Sequence, residues 1–409
     1  MPDDGNGGDI TLVTRHGQKP VQKLPLEAGV KSVMDRITEL ESRISRPIIV
    51  EIAGGSGSGK TTVVANKLKE KFQDRALLVS MDDYFIGVSR VNALGINLDH
   101  PDAVDLDLLK EHLRLMKAGK WVDKPIYEYE TGKRTGTERI DPKRIIIIEG
   151  IFALNEKVAS EGDIRVFVDV GAHGRIIRRL MRDSKRPNMF SAPLLSMQYM
   201  TNVVEPMYQE HIAPTRQNAD IIIENNYDPN KEAENTGVIE AQRKYKVDID
   251  AETLRKIGAS RISSANQTDY YYTSQDGSFE DAKEMLRIRK ENKKAIFTYK
   301  GPKKPSSNAT ERYKFEFEID GETEQGIASV YAIKPKVITK DRTVYYYKGI
   351  VFSVDTDVYK TENGSRTELG NFIEVTVPQS KSEIEALAEL LRGLRINQSS
   401  MVLKSYDEM

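Results

Sequence analysis

The stretch Gly54-Gly55-Ser56-Gly57-Ser58-Gly59-Lys60-Thr61-Thr62 follows an apolar, β-branched run, Ile48–Ala53, and leads into helical spacing from Thr61 to Phe72. Gly54-x4-Gly59-Lys60-Thr61 in that strand-loop-helix context is the pattern of a phosphate-binding loop. Its glycines let successive backbone N–H groups wrap an anion, Lys60 reaches the β/γ-phosphates, Thr61 offers a hydroxyl to Mg2+, and the helix N-terminus adds positive potential. Glu149 ends another apolar run, Ile145–Ile148, and a carboxylate at the C-terminal end of a parallel strand stands beside such a loop, where it can serve the metal. Asp82 and Asp83 close a third run, Ala76–Met81, at the same end of a sheet. A carboxylate there can accept the proton of an attacking hydroxyl, which makes Asp82 the candidate base and leaves Asp83 to face solvent. Arg175, Arg178, Arg179, Arg182 and Arg186 fall along one helical stretch, the first four as neighbours on one side. Either phosphates satisfy them, as in a lid, or they form a solvated face.

These groups need a scaffold. The runs at Ile48–Ala53, Ala76–Met81, Arg144–Gly150, Ile164–Val170 and Ala219–Ile223 are separated by enough chain for crossover helices. That predicts an α/β fold, a parallel sheet with helices on both faces. Ahead of it, residues 1–46 form an N-terminal arm and helix: Met1–Pro20 is too polar to pack alone and is a mobile arm or an added strand, while Val30, Val33, Ile37 and Leu40 share a helical face that Pro47 stops. The first domain spans 47–224, a turn-rich linker 225–237, and a second domain 238–409. In that second domain the period becomes two, over Glu240–Val247, Met285–Lys290, Arg312–Ile319, Val344–Asp355 and Asn371–Val377, predicting antiparallel strands interrupted by a single helix, Ser380–Leu394. Glu240, Gln242 and Lys244 face one way, as do Arg287 with Arg289 and Glu316 with Glu318. Such faces either line a tunnel-like barrel, where cations grip phosphates and carboxylates hold Mg2+ or Mn2+, or form a wet, salt-bridged exterior.

Composition narrows the function classes. The chain has 409 residues, room for about two to three domains, and 61 Lys and Arg against 62 Asp and Glu for a formal charge of −1. No global field draws it to nucleic acid or an anionic membrane. The absence of Cys excludes disulfides, thiolate metal sites and cysteine nucleophiles, and five His leave little for a zinc site. No apolar leader opens the chain and no 18 apolar residues run together, so a cytoplasmic protein is expected.

The segments Gly54-GSGSGKTT, Ser80-MDDYF, Asn97-LDHPDAVDLDLL, Pro125-IYEYETGKR, Ile148-EGIFAL, Val168-DVGAHGRIIRRLMRD and Glu205-PMYQEHIAPT resemble, in order, the signatures of the uridine/cytidine kinase branch of the phosphate-loop kinases, with phosphoribulokinase a cousin. The resemblance implies ATP or GTP as donor with Mg2+, Asp82 as base, and Lys60 as the catalytic cation. It further implies Asp99 on ribose hydroxyls, Tyr127 lining the acceptor pocket, and Arg175, Arg178, Arg182 and Gln198 on bound nucleotide or substrate. Homo-oligomers are implied by the resemblance alone. One departure stands out. Uridine kinases carry a His after the P-[IV]-Y segment to read the pyrimidine edge, and here Gly132 stands at or near that place, which removes a hydrogen-bond donor that shape cannot replace.

The second domain resembles the CYTH, or triphosphate tunnel metalloenzyme, superfamily, through Glu240-AQRK, Gln267-TDYYY, Leu286-RIRK, Tyr299-KGP, Tyr313-KFEFE, Val351-FSVDTD, Leu369-GNFIEVT and Lys404-SYDEM. The resemblance implies a polyphosphate held by Lys244, Arg287, Arg289, Lys300, Arg342, Lys348 and Lys404, and a metal held by Glu240, Glu316, Glu318 and Glu374. Gln242 and Thr376 stand where the family pattern has carboxylates, which weakens the metal site and spares anion binding. The tandem order is similar to fused triphosphate tunnel proteins of plants. Three functions follow: a kinase for a nucleoside or other small hydroxylated acceptor with a polyphosphate-binding second domain, a pyrophosphatase or triphosphatase, or a nucleotide-gated scaffold without turnover.

Overall fold

A computed structural model describes residues 11–13, 21–183, 192–228, 239–247, 249, 251–274, 284–303, 310–376 and 381–409, and the chain divides into two compact units, Met1–Tyr227 and Asp228–Met409. Arg186 and residues 229–237 of the expected linker lie outside the described residues.

In the first unit the strands are β1 (Thr11–Val13), β2 (Val21–Pro25), β3 (Ile48–Ala53), β4 (Ala76–Ser80), β5 (Val122–Glu128), β6 (Lys133–Ile140), β7 (Ile145–Glu149), β8 (Ile164–Asp169) and β9 (Ile221–Glu224). Seven of them form one sheet in the order β1-β2-β9-β8-β3-β7-β4, parallel except for β1. The apolar runs explain this directly. Ile48, Val50 and Ile52 of β3 enter a core with Val30, Val33 and Ile37 of the helix Leu26–Arg43, while Ile49 and Ala53 enter the opposite core with Leu109 and Leu113 of the helix Leu106–Lys117. A strand buried on both faces has no polar face to show. Glu51 is the exception: it is fully buried, both its oxygens lack a hydrogen-bond partner, and burial pushes its carboxyl well up despite Arg165 and Lys117. Residues 21–43, read as lying outside the first domain, are built into it, since β2 extends the sheet beside β9. The antiparallel pair β5–β6 was not foreseen, because Pro125 and scattered charges hide its alternation.

The second unit is a closed antiparallel barrel of β10 (Ile239–Lys246), β11 (Ser260–Ser274), β12 (Met285–Glu291), β13 (Lys294–Lys300), β14 (Thr310–Ile319), β15 (Tyr331–Tyr347), β16 (Ile350–Glu362) and β17 (Ser365–Thr376). The first strand pairs with both β14 and β17, which closes the ring. The run Val344–Asp355, expected as one strand, is the end of β15, a turn at Lys348-Gly349 and the start of β16. Both turn residues take positive φ, 44° and 92°, as a two-residue hairpin turn requires. The expected single helix is likewise revised. Lys381–Gly393 follows the last barrel strand instead of interrupting the set, packing Leu387 and Leu390 against Phe352 and Ile373, and two further helices occupy Ala251–Lys256 and Gly321–Val330. No helix among the described residues is long and apolar enough to cross a membrane.

Candidate functional site

At the C-terminal end of β3 the chain turns through Gly54–Gly59 into the helical turns Lys60–Ala65. Gly59 has φ +86°, and a Cβ there would stand 2.4 Å from the Asn225 side-chain nitrogen, which itself donates to the Ser58 carbonyl at 2.7 Å. Asn225, just past β9, thus pins the loop from behind, a contact no local motif announces. The Thr61 hydroxyl donates to Glu149 Oε2 at 2.7 Å, and Ser80 Oγ, at the end of β4, donates to Glu149 Oε1 at 3.1 Å. Three neighbouring strand ends therefore converge on one carboxylate that is 5 % exposed. Oxygen donors in this arrangement suit Mg2+, which takes one or two protein oxygens and completes its shell with phosphates and water. Thr62 is exposed on the first helical turn. Among the described residues no group of three or more His, Asp and Glu encloses a metal on its own.

Asp82 lies on the turn Met81–Tyr84 and its Oδ2 accepts from the Tyr129 hydroxyl at 2.8 Å. Asp83 does not face solvent as expected; it is ion-paired with Lys124 of β5. Asp99 is buried, accepts from the Tyr199 hydroxyl at 2.7 Å, and is pushed up by burial while Tyr199, Arg179 and Lys60 draw it back down. Tyr127 packs between Phe85, with ring centres 5.5 Å apart, and Tyr129, at 5.3 Å. Gln198 is half-buried, one residue before Tyr199 on the helix Pro193–Tyr199. Gly132 has φ +65°, and a Cβ would lie 2.6 Å from Val88 Cγ2, so this turn has no room for a base-reading side chain. Tyr129, between Glu128 and Glu130, and Tyr199, between Gln198 and Met200, are each bonded to a candidate carboxylate and were missed because a lone tyrosine carries no spacing signal.

The arginines of the helix Ala172–Asp183 are less uniform than their spacing suggests. Arg175 is 2 % exposed, ion-paired with Glu205 and stacked on Tyr208 at 3.7 Å, so its placement on substrate is revised to a buried structural role. Arg178 Nη1 donates to the carbonyls of Asn225 at 3.2 Å and Gly57 at 3.4 Å. Arg179 reaches Ser56 Oγ at 2.9 Å and Asp183 at 2.7 Å, and Arg182 meets Asp183 at 3.1 Å. The expected alternatives, phosphates or solvent, omitted these internal acceptors. A cavity of about 650 Å3 in this unit lies among Val21, Arg36, Arg165 and Asp220 near the starts of β2, β8 and β9, away from the phosphate loop.

The barrel interior encloses about 170 Å3, lined by nine lysines and arginines and two glutamates. Lys244, Arg287, Arg289, Lys300, Arg342 and Lys404 all line it. Lys348 does not: it sits exposed on the β15–β16 turn, paired with Glu389 at 2.6 Å, because the hairpin puts it outside. Of the expected metal ligands, Glu316 and Glu374 face the cavity, whereas Glu318 is exposed and paired with Lys294 at 2.8 Å. Glu240 lies on β10 across from Arg312, and its side chain is outside the described residues. Two carboxylates not singled out beforehand organise the walls. Asp269 is fully buried between Arg287 at 3.1 Å and Arg289 at 2.7 Å, which hold it well below the usual carboxylate range against the effect of burial. Asp355 accepts from Lys340 at 2.7 Å, Arg342 at 2.6 Å and the Tyr406 hydroxyl at 2.6 Å. Burial and then Arg342 push the Lys340 amine down to about 7, with Asp355 opposing.

Residues 49–230 match the phosphoribulokinase/uridine kinase family and residues 239–406 the CYTH domain. The uridine kinase of Bacillus pumilus is 42% identical over 185 residues, 44% of this chain and 87% of that protein. That of Lactobacillus helveticus is 40% identical over 189 residues, 44% of this chain and 88% of that protein. A Pyrococcus horikoshii protein of solved structure is 28% identical, covering 41% of this chain and 96% of that one at a TM-score of 0.33.

Proposed function

The chain belongs to the phosphoribulokinase/uridine kinase family, and on that premise we propose that its first unit is a Mg2+-dependent phosphotransferase moving the γ-phosphoryl group of ATP or GTP to a hydroxyl of a nucleoside or similar small acceptor. The observation that carries this reading is that Asp99 feels the charges of both Asp82 and the phosphate-loop Lys60, and that each of the two aspartates is held by a tyrosine hydroxyl. Asp82 accepts the acceptor's proton once that hydroxyl displaces Tyr129, and Asp99 fixes a neighbouring hydroxyl so that the reacting oxygen is in line. Lys60 and the loop N–H groups hold the β- and γ-phosphates. Thr61 and Glu149 fit a magnesium ion, which when bound neutralises charge on the phosphoryl oxygens. The crowding at Gly132 supports an acceptor whose base edge is not read from that turn. The CYTH domain is proposed to bind a polyphosphate in its cationic interior.

Phosphorus NMR of the protein with Mg2+ and ATP over a nucleoside panel tests this. A new phosphomonoester that requires the acceptor and is lost in Lys60→Ala supports transfer. Orthophosphate from ATP, pyrophosphate or triphosphate without acceptor would replace the reading with hydrolysis, and nucleotide binding without turnover on any acceptor would leave a scaffold.

A further inference from the structure

Metalloenzyme chemistry in the barrel needs carboxylates free to meet a cation, and the described ones are committed. Glu374 is ion-paired with Arg342 and lies 3.4 Å from Lys244. Glu316 accepts from Thr298 at 2.8 Å and lies 3.2 Å from Lys314. Asp269 and Asp355 are each clamped by two cationic side chains. The register adds a second observation: Gln242 and Thr376 stand directly opposite each other in the β10–β17 ladder, two rungs from the ion-paired Lys244–Glu374. The rung where two facing carboxylates could share a metal carries neutral side chains. A divalent ion does not fit this described set.

An anion does. Nine cationic groups against two glutamates, with two aspartates behind them, leave a positive surplus inside a small enclosed space. Two donors are also unspent: Arg287 Nε and Arg312 Nε are buried with no hydrogen-bond partner. Burial lowers Arg312 against the pull of Glu408. Both side chains line the cavity, so a phosphate there meets the charge of guanidinium groups that the protein leaves short of partners.

Resting on the reading of the second unit as a polyphosphate binder, we propose that the barrel is a metal-independent, non-hydrolytic receptor for a short linear phosphate chain, either free or as the tail of a nucleoside triphosphate. Titration calorimetry of the full chain carrying Lys60→Ala, which silences the phosphate loop, measures tripolyphosphate and ATP separately, in EDTA and in Mg2+ or Mn2+. Tripolyphosphate affinity in EDTA within about threefold of that with metal, and no orthophosphate released on incubation, is the expected result. ATP binding of similar strength identifies the nucleotide tail as a ligand; its absence identifies the free chain. Binding only with metal, or release of orthophosphate, overturns the proposal while leaving polyphosphate as ligand. No binding under any condition overturns both. Arg312→Gln, and Lys404→Met at an exposed position that cannot unbalance the core, should each weaken binding about tenfold, with Lys348→Ala without effect. Equal loss in Lys348→Ala, or none in the other two, would place the anion outside the barrel and overturn the proposal.

Discussion

The crevice of the first unit and the interior of the barrel both gather groups that suit phosphate, yet they hold their carboxylates differently. In the crevice, neutral hydroxyls hold them: Tyr129 on Asp82, Tyr199 on Asp99, Thr61 and Ser80 on Glu149. In the barrel, guanidinium and ammonium groups hold Asp269, Asp355 and Glu374, even where a hydroxyl such as that of Tyr406 is added. A neutral hydrogen bond is exchanged at little net cost, whereas a buried ion pair is costly to open. Hydroxyl-held carboxylates can therefore change partners during a reaction. Cation-held ones fix a wall.

The largest way to break this contrast is Asp82→Asn, which keeps the shape and removes the proton acceptor. Phosphoryl transfer should fall about a thousandfold with nucleotide affinity retained, measured by single-turnover kinetics beside equilibrium binding. Asp269→Ala should strand Arg287 and Arg289, lowering the stability of the second unit by about 3 kcal/mol in a urea titration. Added tripolyphosphate should recover part of the loss, and a midpoint indifferent to it would erase the distinction. Glu51 belongs to neither class, since nothing holds it. Its folded carboxyl is raised well above 4.5, so the folded state binds a proton more tightly than the unfolded one, and stability is full below that value and erodes as pH rises. Glu51→Met should gain about 1–3 kcal/mol at pH 8 and less at pH 5, and equal gains at both would contradict the assignment. Smallest is Tyr129→Phe, which deletes an exchangeable bond. Turnover should drop about two- to tenfold, and a loss as deep as that of Asp82→Asn would mean the hydroxyl takes part in the chemistry itself.

The same contrast explains what was readable beforehand. The fold class and the loop Gly54–Thr61 were legible, because contiguous backbone makes both the strand runs and the anion cradle. Period two showed that Lys244, Arg287 and Arg289 share a face with their neighbours but could not say which residues meet across strands. Asp269 and Asp355 were within quoted segments, yet their partners stand on other strands, up to 20 residues away for Asp269 and Arg289. The turn at Lys348-Gly349 passed unseen because aromatic and aliphatic residues flank it on both sides, and the misplaced Lys348 followed from that. Arg175 shows the converse error: its spacing was right and its partner, Glu205, lay on a helix whose position no local pattern gives.

The β10–β17 ladder also sets an order of events in time. Gln242 pairs with Thr376, so the ring cannot shut until almost the whole unit has been synthesised. The neighbours β11 to β14 and β15 to β17 can pair early, but β15 must find β11, and β10 must wait unpaired on one side for the last strand. Such distant pairing is slow, and the barrel is expected to mature after the first unit, whose sheet is complete once β9 has formed. A newly made chain would thus carry a finished first unit for some time before its barrel closes.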